Sequence, residues 1–519
     1  MSGFWWRSRA GARICKHAPG SMSSITRGII PCAHFSCGEE PIVGIDQSID
    51  QIMRPLADVI YRFVFYAVPV AGLELPLIVA WLVAGGLFFT FYLRFINIRG
   101  FRHALHLVSG RYADPLHPGE VTHFQALATA VSGTVGIGNI AGIAVAISVG
   151  GPGATLWMII AGLLGMSTKF AECTLAVKFR QTHDDGSVSG GPMYFLERGL
   201  ALRGLPGTGR ILGMFYAAAM VVGCLGIGNM FQSNQAAAIV IDVTGGGDSV
   251  FFGRAWILGL VLAACVALVI VGGIKSIAKT TSKLVPFMAV LYVLSALAIL
   301  VMNLEGLPTA IGQIWDGAFA LDSVGGGLIG VMIIGFRRAV FSNEAGLGSA
   351  AIAHSAVRTD EPVTEGFVAL LEPFIDTVVI CTLTALVIVV TVYDPTLAAT
   401  ELSGIELTTR AFASTISWSP VPLSIAAVLF AFSTMISWSY YGLKSFTYLA
   451  GHSKSVDIGF KVFYCCFIVL GSSVQLGALV DLSDALIFLV AIPNLLGLYL
   501  LSPVLKQELL SYRERLGRF

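Results

Sequence analysis

The sequence of 519 residues predicts an all-α integral membrane protein with 11 transmembrane helices, in which one extra helix precedes two inverted repeats of five helices. Three observations predict this fold class. The composition is strongly apolar, eleven apolar segments are long enough to cross a bilayer, and two glycine-rich polar stretches lie five segments apart.

The composition indicates a chain whose surroundings are mainly lipid. Apolar residues make up 55% of the sequence and charged residues 12%, about half of the ~25% found in soluble domains, and the mean hydropathy is +0.80. A net charge of +1 argues against a nucleic-acid partner, so the expected partners are the lipid bilayer and a small molecule. The nine cysteines show no Cys-x-x-Cys or Cys/His spacing, so neither a metal site nor a disulfide framework is predicted.

Eleven apolar segments match the roughly 20 residues that a helix needs to cross a ~30 Å hydrocarbon core. They cover about residues 75–97, 122–149, 154–179, 209–240, 255–273, 281–303, 326–357, 365–392, 420–450, 459–478 and 482–503. The expected division is an N-terminal segment with a peripheral helix at 52–97, a first five-helix repeat at 122–303, a second at 326–503 and a cytoplasmic tail at 504–519. Residues 406–415 are too few and too polar to span, and are expected to form a lid on the outer surface or an ordinary structured loop.

Basic residues in the connecting segments predict the orientation, because cytoplasmic loops retain Lys and Arg. If the segment after the first helix is cytoplasmic, 20 basic residues of the connections and the tail lie inside, and two, Arg254 and Arg410, lie outside. The C-terminus is therefore expected in the cytoplasm and the protein in the cell (inner or plasma) membrane. Residues 1–51 lack the continuous apolar core of a signal peptide and are expected to be a disordered extension. Such an extension could come from a start codon assigned too early, with Met22 or Met53 as other candidates. A transit peptide, which the Arg- and Ser-rich start loosely resembles, is the alternative.

Two stretches inside the apolar segments combine glycine with polar residues: GIGNIAGIA at 136–144 and SNEAGLGSA at 342–350. Glycine costs roughly 1 kcal/mol in a helix interior, so each stretch favours a local break. The first stretch alone could equally mark close helix packing. The second has charged neighbours, and Arg338 and Glu344 are candidates for a gating ion pair. The alternative is that Arg337 and Arg338 reach the cytoplasmic interface.

The interval between the two stretches carries the main argument, because they lie in the first and sixth of the ten core segments. An offset of five inverts the second set relative to the first, and paired glycine-interrupted segments in two halves are typical of inverted-repeat transporters. A helix N-terminus at such a break attracts a carboxylate, while free carbonyls and hydroxyls suit a hard cation such as sodium. The sequence therefore predicts ligand and cation sites at the two breaks.

Four motifs carry a resemblance to a known family: SGTVGIGNIAG at 132–142, GGPMYFLERGL at 190–200, FSNEAGLGSA at 341–350 and STMISWSYYG at 433–442. Over about residues 52–505 the chain resembles the alanine or glycine:cation symporters, or sodium:alanine symporters, of the amino acid-polyamine-organocation superfamily. The resemblance implies a leucine-transporter-type fold. It also implies symport of a small neutral amino acid, such as alanine or glycine, with a co-transported sodium ion and no organic cofactor.

The resemblance further implies the residues of both sites. The implied substrate-binding residues are Thr134, Gly136, Asn139, Gln232, Phe341, Ser342, Asn343, Thr434 and Trp438. The implied sodium ligands are the carbonyls of Ser132 and Val135 and the hydroxyls of Ser433 and Thr434. Amides near Gly136 are expected to bind the substrate carboxylate, and carbonyls near Phe341 the ammonium group.

Several of these residues have an alternative role. Trp438 could lie in the aromatic belt at the membrane interface, and Phe341 could be part of the plain core. The hydroxyls of Ser433 and Thr434 could bond to their own helix instead of a cation.

Two other clusters of residues, and the function itself, also allow more than one interpretation. Glu372 and Asp376, one turn apart, could form a proton relay or a pair buried against Arg338. Residues 190–195 could form a re-entrant turn or an inner gate. Sodium symport by alternating access is the favoured function, and a proton-coupled carrier that uses Glu372 or Asp376 is the alternative. A channel or sensor is less favoured, and the absence of a catalytic motif argues against an enzyme.

Overall fold

The computed structural model describes residues 54–55, 58–70, 73–112, 117–320, 327–394, 404–473 and 477–516. These residues are almost all helical, which confirms the predicted all-α class. Strands occur in these ranges as two short antiparallel hairpins, β1 (Ala67–Val70) with β2 (Leu73–Pro76) and β3 (Gln181–Thr182) with β4 (Val188–Ser189). The predicted extension at 1–51 lies outside the described residues.

The helices of the first half begin with a helical segment at 58–64. They continue as α1 (Leu77–Tyr92), α2 (Ile96–Arg99), α3 (Phe101–Val108), α4 (His123–Thr134), α5 (Ile137–Gly150), α6 (Ala154–Lys178), α7 (Pro192–Tyr194), α8 (Leu200–Leu202), α9 (Pro206–Leu225), α10 (Phe231–Val243), α11 (Ala255–Ile270) and α12 (Gly273–Met302). A π-helical segment, Phe195–Gly199, joins α7 to α8, and a second, Gly226–Met230, joins α9 to α10. Short 3₁₀ helices lie at Gly246–Asp248 and Leu304–Gly306.

The helices of the second half begin with an amphipathic connector that the sequence analysis did not predict. They are α13 (Leu307–Phe319), α14 (Gly327–Asn343), α15 (Ser349–His354), α16 (Pro362–Ala369), α17 (Leu371–Pro373), α18 (Thr382–Thr391), α19 (Gly404–Thr415), α20 (Pro420–Ala450), α21 (Lys454–Ser473) and α22 (Gly477–Leu516). A π-helical segment, Phe374–Cys381, joins α17 to α18.

Within the described ranges, seven helices are long and apolar enough to cross a membrane, or eight if the bent pair α4 and α5 counts as one span. The seven are Ala154–Lys178, Pro206–Val243, Gly273–Met302, Pro362–Thr391, Pro420–Ala450, Lys454–Ser473 and Ala485–Leu516. The predicted segments at 75–97 and 255–273 contain α1 and α11, which have 16 residues each, about 24 Å of helix. The chain is a multi-pass membrane protein, and its eleven spans remain a prediction.

The first glycine-rich stretch breaks a helix, as the sequence predicts. Helix α4 ends at Thr134, Val135 leaves the helical conformation, Gly136 is extended, and α5 starts at Ile137 with its axis turned by 45°. The side-chain oxygen of Asn139 accepts a hydrogen bond from the Gly136 amide at 3.2 Å, which compensates for the lost backbone partner. GIGN is therefore a break that carries its own capping residue.

The second glycine-rich stretch is also non-helical, between α14 and α15. Glu344, Gly346 and Gly348 have positive φ angles of 56°, 92° and 75°. A Cβ at Gly346 would lie 2.3 Å from Leu82, and one at Gly348 would lie 2.3 Å from Pro192. Both glycines are required, because a larger residue would meet backbone strain and a neighbour at once.

The segment predicted as a lid or loop is helix α19. It packs on α5, the second half of the first broken helix, since the Thr408 hydroxyl donates to the Ile140 carbonyl at 3.1 Å. A Cβ at Gly404 would lie 2.4 Å from the Ala141 carbonyl oxygen. The helix therefore covers α5 directly.

Candidate functional site

Helices α4 and α20 are joined by hydrogen bonds that lead up to the first break. The Ser132 hydroxyl donates to the Ser433 carbonyl at 2.6 Å, and the Thr434 hydroxyl donates to the Ser132 carbonyl at 3.0 Å. The indole of Trp438 donates to the Gly133 carbonyl at 3.1 Å. The side chains of α20 thus bind carbonyls in the last turn of α4.

The glycines of the first break face side chains from three other elements. A Cβ at Gly136 would lie 2.8 Å from the Thr434 hydroxyl and 3.3 Å from the Gln232 side-chain oxygen. A Cβ at Gly138 would lie 3.1 Å from the ring of Phe341. Because these glycines have no Cβ, the side chains of Thr434, Gln232 and Phe341 can approach the backbone of the break closely. The structure therefore brings together four predicted residues, Gly136, Gln232, Phe341 and Thr434, and a fifth, Gly138, which adjoins the predicted Asn139.

Gln232 presents an unusual polar atom beside this break. Its amide nitrogen donates to the Ile227 carbonyl at 3.2 Å, inside the π-helical segment. Its oxygen is buried and has no hydrogen-bond partner among the described residues. A buried acceptor without a donor is costly, so a ligand donor is expected to complete this group.

Trp438 is buried in the protein and does not lie in an interfacial belt. Its relative exposure is 1%, and a Cβ at Gly228 would lie 2.3 Å from its indole ring. The indole thus packs directly on the backbone of the second copy of GIGN, at 226–229. Trp438 reaches the first break through its bond to Gly133, so it connects the two GIGN segments.

Asn139 connects the two breaks. Its amide donates to the Ser342 hydroxyl at 3.2 Å and to a carboxylate oxygen of Asp376. The Ser342 hydroxyl donates to the other oxygen of Asp376 at 2.6 Å, and Thr377 donates to the same oxygen at 2.9 Å. Asp376 follows α17 in the π-helical segment, and all four side chains are buried. One carboxylate is therefore shared between the first and second breaks.

The predicted sodium ligands lie close together, but their hydroxyls differ in orientation. The Ser132 carbonyl and the Thr434 hydroxyl are 3.0 Å apart, and Val135 has a non-helical ψ of 88°. The Ser433 hydroxyl donates to the Phe430 carbonyl of its own helix at 2.9 Å. Its oxygen lone pairs still allow cation binding. The donor set is all oxygen, which suits a hard cation.

Two other predicted residues make local bonds. The Thr134 hydroxyl lies 3.4 Å from the carbonyl oxygen of Ala130, on its own helix. The Asn343 side chain donates to Thr377 at 3.0 Å and accepts from the Ala345 amide at 3.0 Å, which shapes the second break.

The two gating candidates lie at the second break, Arg338 on α14 before it and Glu344 within it. Glu344 accepts a hydrogen bond from the Ser349 hydroxyl, at the start of α15. Arg338 is half-buried on α14. The serine bond gives Glu344 a partner within the second broken helix.

A chain of buried ionisable side chains crosses five helices, and the sequence analysis singled out only Glu372 among them. His123 Nδ1 lies 2.6 Å from one oxygen of Glu365, and His354 Nδ1 lies 2.6 Å from the other. His354 Nε2 lies 3.6 Å from Glu372, whose other oxygen accepts from Lys169 at 2.9 Å. Glu372 is thus paired with a lysine of α6, which replaces the expected pairing with Arg338.

This buried ionic chain has a polar extension towards the second break. Glu172, on the same helix as Lys169, accepts from the Asn494 amide at 2.7 Å, and that amide also donates to the Gly346 carbonyl at 2.8 Å. The Tyr216 hydroxyl donates to the Leu347 carbonyl at 2.9 Å. The sequence does contain a feature that points to this chain, because Lys169 and Glu172 are two charged residues inside an apolar span. Charged residues at that depth cost free energy and usually have a function.

Arg180 binds four backbone carbonyls at the basic end of the molecule. Its guanidinium donates to Ser355 and Val357 at 3.0 and 2.6 Å, and to Pro118 and Thr359 at 2.8 and 2.7 Å. Burial lowers the pKa of this guanidinium below its ordinary value, yet an arginine stays protonated. The side chain joins the residues just before α4 to those just after α15, and we call these five residues the Arg180 clasp.

The motif at 190–195 packs against the same end of the second broken helix. A Cβ at Gly190 would lie 2.5 Å from the Ser355 side chain, and one at Gly191 would lie 2.7 Å from Ile352. These glycines allow the start of α7 to contact α15 closely.

Comparisons with known proteins identify the family of the chain. The model of the sodium:alanine symporter family matches residues 64–518. The sodium/alanine symporter AgcS of Methanococcus maripaludis is 42% identical over 440 residues, covering 85% of this chain and 94% of the relative. The probable sodium/glutamine symporter GlnT of Bacillus subtilis is 33% identical, covering 84% and 87%. The amino-acid carrier protein AlsT of the same organism is 32% identical, covering 86% and 89%.

One solved structure has the same fold. The crystal structure of MhsT in complex with L-phenylalanine aligns with a TM-score of 0.51 at 18% identity, covering 72% of this chain and 88% of that protein.

The many apolar helices, the two broken helices and the named relatives define a multi-pass membrane transporter rather than an enzyme. The chain belongs to the sodium:alanine symporter family, which the sequence motifs predicted. Membership supports cation-coupled symport of an amino acid.

Proposed function

We propose that the protein imports a small neutral amino acid, alanine or glycine, together with sodium by alternating access. The observation that carries the proposal is the convergence of Gln232, Thr434 and Phe341 on the glycines of the first break. A small substrate can approach the backbone there, and a large one would collide with Phe341 and Trp438. The names of the sodium/alanine relative and of the amino-acid carrier relative support the same substrate class.

The substrate carboxylate binds at the start of α5, where the helix N-terminus favours an anion. There it takes the place of the Asn139 side-chain oxygen as an acceptor for the Gly136 amide. The ammonium group binds near the carbonyls at Phe341, where α14 approaches its end. The unpartnered oxygen of Gln232 accepts one hydrogen bond from the ammonium group. Asn139, Ser342 and Asn343 hold the two breaks in position around the ligand.

Sodium binds between α4 and α20, at the carbonyls of Ser132 and Val135 and the hydroxyls of Ser433 and Thr434. The 3.0 Å contact between Ser132 and Thr434 supports this placement, because a cation can replace that hydrogen bond at little cost. Binding there ties the end of α4 to α20 and thereby couples the ion to the shape of the first break.

The architecture we propose has 11 spans, with α1 as the extra helix before two inverted repeats at 122–303 and 326–503. The breaks in the first and sixth core helices support it, and so does the likeness to MhsT. We place the C-terminal tail at 504–519 in the cytoplasm of a cell membrane, since basic residues concentrate at that end. The Arg180 clasp then forms part of the inner gate. Arg338 lies on α14 before the second break and Glu344 lies within the break, where their charges act on its opening.

The test is uptake by proteoliposomes that contain the purified protein. An inward sodium gradient should drive accumulation of alanine, and a proton ionophore should leave it unchanged. Equal uptake in potassium buffer would remove sodium coupling from the proposal. Counterflow with a panel of small amino acids then gives the substrate range.

A single variant separates the cation site from general damage. Thr434→Val keeps the shape and removes the hydroxyl, so we expect the half-saturating sodium concentration to rise by about tenfold, or about 1.4 kcal/mol. Thr280→Val is the control, because the Thr280 hydroxyl bonds only to the Ser276 carbonyl of its own helix among the described residues. A normal sodium dependence in Thr434→Val would place the ion elsewhere.

A proton-coupled carrier is the second candidate, and the position of Asp376 favours it. This carboxylate is buried and bonded to both breaks through Asn139 and Ser342, whereas Glu372 is already paired with Lys169. Under this alternative, a proton gradient should drive uptake in sodium-free buffer, and Asp376→Asn should abolish that uptake.

A further inference from the structure

A large groove lies outside the transport site, between α11, α20 and α21. Its volume is about 920 Å³. The apolar walls come from one face of each of two helices, with Leu260, Ala263 and Ala267 on α11 and Ile458, Val462 and Val469 on α21. Leu260, Ile458 and Val462 are exposed by 48%, 60% and 59%, so this cavity is an open groove in the lipid-facing surface.

The length of the groove matches one leaflet of a bilayer. Its wall on α11 extends from Leu260 to Ile270, and its wall on α21 extends from Ile458 to Val469. At 1.5 Å per residue each wall is roughly 15 Å long, which is about half of a ~30 Å hydrocarbon core. An acyl chain aligned with the two helices fills such a groove from the membrane surface to the midplane.

The mouth of the groove is polar and has an excess of positive charge. Lys444, Lys454 and Lys461 line it, together with two aspartates, Asp185 and Asp457. Lys461 pairs with Asp457 at 2.7 Å, and Lys454 is exposed at the start of α21. These lysines lie at the end of the molecule where basic residues concentrate, and basic pockets between helices on that side suit anionic headgroups.

We propose that this groove binds an anionic phospholipid of the cytoplasmic leaflet. One acyl chain lies between α11 and α21, and the headgroup phosphate contacts Lys454 and Lys461. The charge excess at the mouth gives the site a preference for an anionic headgroup over a zwitterionic one. The groove shares none of the residues of the proposed substrate and sodium sites, so this inference stands apart from the transported substrate.

The test measures lipid binding by the purified full chain, with native mass spectrometry in a neutral detergent as the readout. Phosphatidylglycerol should bind at least tenfold more tightly than phosphatidylcholine. The double variant Lys454→Gln with Lys461→Gln should reduce this preference below threefold. The control, Arg203→Gln with Arg210→Gln, removes two exposed cytoplasmic charges away from the groove and should keep the preference.

Two further arms identify the source of the contact. Val462→Trp should fill the groove and weaken the binding of both lipids, and Ala267→Phe serves the same purpose if the first variant does not fold. Inorganic phosphate should not displace the lipid at equal concentration. Equal binding of the two lipids by the unchanged protein would mean ordinary annular lipid, and displacement by phosphate would mean an anion site alone. Either result would overturn the proposal, as would an unchanged preference in the lysine variant.

Discussion

Lys169 is the residue for which burial has the largest expected consequence. Its ammonium group lies at 0% exposure in the middle of an apolar span, and its partner Glu372 is equally buried. Breaking a buried pair leaves one charge without compensation, which costs more than the pair contributes when intact. The pair therefore fixes the position of α6 relative to α17 rather than adding to overall stability.

Lys169→Met should lower the free energy of unfolding by about 3 to 5 kcal/mol, because Glu372 would remain buried without its lysine. Adding Glu372→Leu should recover part of that loss. The measurement is thermal unfolding in detergent, with size-exclusion chromatography to determine the fraction that stays folded. Lys178→Met is the matched control on the same helix. Its partner Glu508 lies 2.7 Å away at the surface, and the change should cost about 1 kcal/mol or less. Similar losses in the two lysine variants would contradict the prediction.

At the residue scale, the sequence predicted the glycines and amides of the breaks well, because those residue types are rare in apolar helices. Asn139 and Trp438 proved to connect the breaks to other elements. The sequence did not predict the ionic chain from His123 to Lys169, since its members come from five helices. Which histidine meets which carboxylate depends on the tertiary packing alone.

At the element scale, the Arg180 clasp holds the start of one broken helix against the end of the other. The backbone between them is also paired, since the Glu120 amide donates to Ala356 at 2.7 Å and the Arg358 amide donates to Val121 at 2.8 Å. In the proposed orientation, release of substrate into the cytoplasm would require these two segments to separate. The clasp is therefore the group of contacts that opening must break.

Arg180→Lys should loosen the clasp, because one ammonium group cannot reach four carbonyls in the geometry of a guanidinium fork. We expect the amides of Glu120 and Arg358 to exchange with deuterium at least about tenfold faster, or about 1.4 kcal/mol. Exchange measured by mass spectrometry tests this, with the exposed Arg203→Lys as control. Unchanged protection at both amides would show that the backbone pairing holds the segments without Arg180.

The hairpin of β3 and β4 contains His183, which contacts His452, a residue that follows α20, and protonation of these two histidines should loosen the hairpin. The ring of His183 lies 4.2 Å from that of His452, with Lys444, Asp184, Asp185 and Arg198 around them. Burial, and then the charge of Lys444, lower the pKa of His183 below its ordinary value. Burial, and then His183, do the same for His452.

Because both pKa values are lower in the folded protein, acidification below about pH 6.5 should destabilise the hairpin, and stability should be recovered at pH 7. Deuterium uptake by residues 181–189, corrected for the intrinsic rate, should be greater at pH 5.5 than at pH 7.0. His452→Gln should reduce this difference. Equal uptake at the two pH values would contradict the prediction.

The spans and the breaks were predictable from the sequence, because long apolar segments indicate spans and clustered glycines indicate breaks. Each predicted apolar segment contains a helix or a broken pair, and both breaks fall within the quoted stretches. Helices α13 and α19 were not predicted as helices, because short amphipathic segments lack the length signal of a span. The π-helical segments have no sequence signature that distinguishes them from α-helix.

At the scale of the whole molecule, the distribution of basic residues predicts the orientation in the membrane. A cysteine at Val250, which is 77% exposed between α10 and α11, should react with an impermeant maleimide in intact cells. A cysteine at Arg203 should react only after the cells are opened. The chain without an added cysteine is the control, because it shows how strongly the native cysteines react with the maleimide. Labelling of Arg203→Cys from outside would reverse the proposed topology.

The π-helical segment at Gly226–Met230 has a consequence for how this chain can change. Such a segment accommodates one residue more than the same length of α-helix, so everything after it is rotated by about 100°. Gln232 faces the first break because of that rotation. Deleting one residue from the segment would turn the rest of α10 about its axis and point Gln232 away. An alignment with a relative that lacks the extra residue therefore needs a gap here before any residue beyond it can be compared.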